Sequence, residues 1–156
     1  MLERCKSAQE RWGGVHIMID RWLEQRRELV ESMVKLKKRE EFTPTDTPLI
    51  LSVSEKLVDY VSAGHFEIYE QLAIEAKEFR DDSALQRLTA LMPEIQATTE
   101  FVVEFNDKFD TKEHCNDMLT ELPFALQTLS VMMVDRFSLE DLLIKELHEA
   151  HNEQSA

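Results

Sequence analysis

Glycine, proline and cysteine are scarce in this chain: three, four and two residues among 156. So few turn formers exclude a turn-rich β architecture. The two cysteines, Cys5 and Cys115, belong to a chain long enough to bury a core without a covalent staple, and both are read as free thiols of a reducing compartment. No apolar run approaches the ~20 residues a membrane span requires. The opening MLERCKSAQERWGG has no apolar signal-peptide core, so the protein is expected to be soluble and cytoplasmic. Basic residues are also outnumbered, 18 Lys and Arg against 31 Asp and Glu, for a net charge of −13. Such a chain is a poor direct ligand for nucleic acid, which needs a basic surface to displace counterions. It suits a basic protein partner, including a nucleic-acid-binding domain, although solubility alone is the simpler use of the charge.

Signatures of chemistry are missing as well. No histidine has a glutamate three residues before it, as a di-iron carboxylate bundle would need. HExxH, paired CxxC, GxxxxGK[ST], GxGxxG and GxSxG are all absent, so no metal or cofactor is implied. His114 and Cys115 adjoin in sequence, but neighbours on a helix project ~100° apart and do not form a nucleophile pair. His148 and His151 lie one turn apart near an end expected to fray, which allows an adventitious metal contact at most.

What is present is a period near 3.6 over almost the whole length. A first helix from about Ser7 to Lys38 carries Trp12, Val15, Ile19, Trp22, Arg26, Leu29, Met33 and Leu36 on one line. Gly13 and Gly14 are placed to kink it or to admit a close neighbour. After the loop FTPTDTP a second helix starts between Thr47 and Ser54, with Thr47-Pro48 or a Ser52/Glu55 capping box as its head, and runs to about Phe79. A third carries Leu85, Leu88, Met92, Ile95, Val102, Phe105 and Phe109, with Pro93 kinking or restarting it. Asp110 and Glu113 resemble the N-terminal cap of another helix. The last helix carries Leu119 to Leu147, with Pro123 near its start. The fold expected is all-α: a single-domain antiparallel four-helix bundle over residues 1–156, frayed in its first few residues and at about 151–156.

Some residues do not fit these stripes. Arg26 lies on the first apolar line, Arg136 and Glu140 on the last, and His65 flanks the second. Unpaired buried charge is costly, so these four either form an interior polar cluster or reach a wet cavity. The plainer alternative is that they snorkel from stripe edges. The stretch LVDYVSAGHFEIYE, Leu57 to Glu70, raises the opposite question. Its apolar line leaves Phe66 facing outward among Asp59, Ser62, Ala63 and Glu70, with Tyr69 at the boundary. A large aromatic on a small-residue surface flanked by carboxylates suits docking of a basic amphipathic helix, or weak self-association. If instead this helix is buried on two sides, Phe66 is ordinary core.

LVDYVSAGHFEIYE, ERWGGVHIMIDRWLEQRREL and RFSLEDLLIKEL together resemble the Rsd/AlgQ family of bacterial regulators of sigma D, the opening block being nearest the AlgQ-type members. The three blocks span most of the chain in the family's order. The resemblance implies an all-helical anti-sigma factor, not an enzyme. Its partner would be the housekeeping sigma factor of RNA polymerase, bound mainly through the fourth conserved region, a basic helix-turn-helix that reads the −35 element. Binding would keep sigma from core polymerase and from DNA, favour alternative sigma factors in stationary phase and, in AlgQ-type members, touch alginate regulation. By resemblance the sigma contact falls on Asp59, Ser62 and Phe66, with Tyr69 and Glu70 beside them. Asp20, Arg21 and Trp22 also match the family, Trp22 on the core line. A reading of another class, a small-molecule sensor or enzyme using Arg26, His65, Arg136 and Glu140, requires a cavity joining those side chains.

Overall fold

The first apolar period closes into one helix, α1 (Ala8–Lys37), unbroken through Gly13 and Gly14, in a computed structural model that describes residues 8–155. Cys5 lies outside the described residues. The loop after α1 is ordered by its own polar residues. Thr43 and Asp46 form a reciprocal capping box around the single 3₁₀ turn Pro44–Asp46, with the Thr43 amide donating to Asp46 at 2.9 Å. That turn feeds α2 (Thr47–Ala63), so of the two expected starts Thr47-Pro48 is the one used. α2 continues through a π-turn, Gly64–Ile68, into α3 (Tyr69–Glu78). Arg80, at φ 54°, ends that rod. Asp81 then starts α4 (Asp82–Phe109) by accepting from the Ala84 amide at 3.0 Å.

Pro93 neither breaks nor restarts its helix: α4 continues through it. The polypeptide after α4 departs from expectation. Thr111, not Asp110, caps a short separate helix, α5 (Lys112–Asp117), and a 3₁₀ turn at Leu119–Glu121 precedes α6 (Leu122–Leu143). Pro123 sits in the first turn of α6, where its missing amide hydrogen costs nothing. A second π-turn, Ile144–Glu149, joins α6 to α7 (Ala150–Ser155).

All described elements are helical, with no strand among the described residues. Side-chain contacts fix the helix senses. Trp22 meets Tyr60 and Ser32 meets Lys56, so α1 and α2 run oppositely. Ser54 meets Phe109 and His65 meets Thr99, so α2 and α4 do too, as do α4 and α6 through Lys108–Glu121 and Arg87–Glu146. Between them lies a core that includes Trp22, Leu29, Leu57, Ile95, Phe105, Phe109, Leu129 and Leu147, each at most 2% exposed. Each such side chain contributes on the order of 1.5–3 kcal/mol by leaving water. No described helix is long and apolar enough to cross a membrane.

Candidate functional site

The π-turn Gly64–Ile68 positions the most exposed aromatic of the second rod. Phe66 is 78% exposed, with Asp59, Glu67 and Glu70 exposed around it and Ser62 half-buried. Beside the ring an open groove of about 500 Å³ runs between α2 and α4. Val58, Val61, Ser62 and His65 line one wall, and Gln96, Thr99, Glu100, Val102 and Val103 the other. The α4 wall escaped the sequence reading. Its signal is Val103, apolar yet one residue off the buried line through Ile95 and Val102, and 53% exposed.

Tyr69 is a correction. It was expected at the edge of this surface but is only 4% exposed and points inward. The π-turn explains the difference. An i→i+5 turn holds one residue more than an α-turn, so a wheel drawn at 3.6 misplaces the residues beyond it, here letting both Ile68 and Tyr69 face the core.

Inside, Tyr69 joins the residues suspected of forming an interior cluster, and the structure brings all four together. Glu140 is their centre. Its Oε1 accepts from the Tyr60 hydroxyl at 2.5 Å and faces Arg26 Nη2 at 3.5 Å. Its Oε2 accepts from the Tyr69 hydroxyl and from Arg136 Nε at 3.2 Å. Arg136 spends its other donors on the Ile95 carbonyl at 3.2 Å, Thr98 at 2.9 Å, Thr99 at 2.6 Å and the Tyr69 oxygen at 3.1 Å. His65 Nε2 reaches the same Thr99 hydroxyl at 2.7 Å. Arg26 bridges outward to Asp141 at 2.6 Å and lies over Phe137 at 4.7 Å. Burial pushes the Glu140 carboxyl above its ordinary value, against the pull of Arg136, the two hydroxyls and Arg26. Burial and then the Glu140 charge push both tyrosines up, so they stay protonated as donors. Burial, then Arg136, holds the His65 imidazole below its ordinary value. Each nitrogen of Arg136 and each carboxylate oxygen of Glu140 has a protein partner.

A second polar cluster lies toward the ends of α1 and α3. His148 and His151, expected near a frayed end, are 1% and 0% exposed. Glu75, itself fully buried, takes His148 Nδ1 at 2.8 Å on one oxygen and His151 Nδ1 at 3.1 Å on the other. His151 Nε2 reaches Asp81 at 2.8 Å, and its ring stacks on Phe79 at 4.6 Å. Trp12 stacks on His148 at 4.5 Å and donates to its carbonyl at 2.8 Å. The period showed neither pairing, because Glu75 and these imidazoles meet only across the fold. His114 pairs locally with Asp110, 2.5 Å away and four residues earlier, while Cys115 is buried against the Phe109 carbonyl.

An all-helical chain with an exposed ring and carboxylates framing a surface groove, over a polar network in which Arg26 Nη2 has an ion-pair approach to Glu140 but no hydrogen bond, has the surface of a protein that acts by binding a macromolecule. The kind is given by kinship. Residues 1–148 match the family described as "Regulator of RNA polymerase sigma(70) subunit, Rsd/AlgQ", and the chain belongs to that family. This is a family of sigma-factor regulators and not of enzymes, and the chain has an anti-sigma role. It is 34% identical over 150 residues to the regulator of sigma D of Yersinia pseudotuberculosis serotype O:1b (strain IP 31758), covering 93% of this chain and 88% of that one. To the regulator of sigma D of Yersinia enterocolitica serotype O:8 / biotype 1B (strain NCTC 13174 / 8081) it is 32% identical, over 93% and 89%. To that of Enterobacter sp. (strain 638) it is 33% identical, over 92% and 88%. No solved structure matches the chain.

Proposed function

We propose that the protein binds the DNA-reading fourth region of the housekeeping sigma factor through Asp59, Ser62 and Phe66, and so withholds sigma from core polymerase and promoter DNA. In this reading the four long helical stretches act as one antiparallel bundle that presents α2 and α4 as a rigid face. The observation that carries it is Phe66, 78% exposed on a chain of charge −13, beside an apolar groove and between carboxylates. A helix-turn-helix is basic because it meets DNA phosphates, so an acidic face attracts it and an aromatic anchor then holds it. Glu70 sits on the rim, where charges mainly steer encounter. Tyr69 acts from behind the face, anchoring the turn that carries Phe66. The names of the relatives, regulators of sigma D, support a sigma factor as partner.

Titration calorimetry against the isolated fourth region at low and high salt tests this. Phe66→Ala is expected to weaken binding about 30-fold, roughly 2 kcal/mol, without lowering thermal stability, since so exposed a ring adds little to the core. Salt is expected to weaken the wild-type complex. Binding indifferent to Phe66 would move the site, and no binding by folded protein would discard the reading.

A further inference from the structure

A second apolar surface lies on the other flank of α4, and no function assigned above uses it. From Pro123 to Ser138 the exposed residues of α6 include one charge, Asp135. Phe124 is 77%, Val131 59% and Val134 62% exposed. Beside Phe124, which forms part of its wall, is a groove of about 310 Å³ between α4 and α6, with Phe101, Phe105, Ala125 and Thr128 as its main apolar and small lining and Glu104, Lys108 and Glu121 also bordering it. A cavity of about 150 Å³ suffices for benzene, so this groove has room for a phenyl ring. On the far side of α6, Arg26 meets Asp141 at one end and Lys37 lies beside Gln127 at the other. Val30 and Val34, both partly exposed, lie on the turns of α1 between Arg26 and Lys37.

We propose that this face joins two copies of the chain in a weak two-fold dimer, with Phe124 of each copy seated in the groove of the other. Two features select a second copy over another occupant. The patch holds both a projecting ring and a ring-sized groove, and a two-fold contact needs knob and hole on one surface. A copy also brings its own charge of −13, so most of the surface repels it; the exposed run of α6 carries only Asp135, and in the groove beside it Lys108 offsets Glu121 at 4.0 Å, so this is where a like-charged copy meets least repulsion. Size sets the strength. Pro123 to Ser138 spans about 24 Å at ~1.5 Å per residue, and two helix widths of ~10 Å give roughly 500 Å² per copy. The total of about 1,000 Å² is the lower bound for a specific interface, which makes the dimer weak. The Phe66 groove lies on the opposite flank of α4 and stays open.

Sedimentation equilibrium of the full chain, up to about 1 mM and at about 0.05 and 0.5 M salt, tests it, with circular dichroism to confirm folding. Wild type is expected to populate a dimer that tightens as salt screens the like charges. Phe124→Asp is expected to weaken it at least tenfold. Acid in a first helical turn is favourable, so this variant should fold; Val131→Glu provides a second variant further along α6. Phe66→Ala should leave the dimer intact, and Phe124→Asp should bind the sigma fragment as wild type does. A monomer at every concentration, a dimer that dissolves with salt, or one lost with Phe66 and kept with Phe124→Asp overturns the proposal. So does loss of sigma binding in Phe124→Asp, which would make this face part of the sigma contact; failure of the sigma reading alone leaves the dimer result unaffected.

Discussion

At Glu140 two tyrosine hydroxyls and a guanidinium converge on one buried carboxylate, with a second guanidinium facing it. Glu140→Ala leaves Arg136 buried without its counter-charge, and a loss of about 3–5 kcal/mol is expected in urea unfolding. The sigma affinity of the fraction still folded should fall too, though less than in Phe66→Ala, because Glu140 holds the Tyr69 hydroxyl behind the turn that carries Phe66 and the network reaches the groove wall through His65 and Thr99. His65 gives a pH signature. Its imidazole is held below its ordinary value, so between that ordinary value, ~6.5, and the lower folded value the unfolded chain binds more protons. The His65 contribution is therefore complete above about pH 6.5, is lost as pH falls toward the folded value, and is flat below it. His65→Gln should remove that portion of the slope, visible as a gap between wild-type and variant urea midpoints that changes between pH 7.5 and 5. Arg26, Arg136, Glu140 and His65 were legible as anomalies on apolar lines. Tyr60 and Tyr69 were not, because a tyrosine on a stripe passes for core until its hydroxyl's partner is known.

At the scale of elements the two π-turns matter most, and a wheel of fixed period misses them. Gly64 opens the first. A Cβ there would lie 3.1 Å from the Tyr69 oxygen and 3.2 Å from the Trp22 ring. Neither neighbour is free to move: Trp22 donates to the Tyr60 carbonyl at 3.1 Å, and Tyr69 is tied to Glu140 and Arg136. Alanine gains about 1 kcal/mol in helix propensity, while overpacking costs about 1–3 kcal/mol. With both neighbours pinned, crowding should win. Gly64→Ala is expected to lose roughly 1 kcal/mol net in urea unfolding, with altered near-ultraviolet dichroism from Trp22. The second π-turn carries His148 toward Glu75, which explains why the expected frayed end instead reaches the core at His151. Helix existence was legible throughout, since the apolar period is long and strong. The start of α2 was narrowed by Pro48, and Asp110 with Glu113 marked the head of α5 to within one residue, but the break between α5 and α6 was not legible, because no glycine or proline stands between Asp117 and Leu122.

For the molecule as a whole, charge divides the surface. The acidic flank around Phe66 and the nearly uncharged face of α6 should respond oppositely to salt, the first losing its partner and the second gaining a copy, which makes ionic strength the simplest way to separate them. The sequence by itself determined that the chain is helical, acidic and without signatures of catalysis, because period, composition and motif are properties of neighbours along the chain. It also marked Phe66 as outward, since three or four residues to either side suffice to draw a helix face. Only the tertiary structure decided that Tyr69 turns inward, that Glu75 holds two histidines more than 70 residues away, and that α4 supplies a wall to each of two grooves. Those outcomes depend on which helices meet and at what register, and register is set by packing and hydrogen-bond satisfaction across the core rather than by any local spacing.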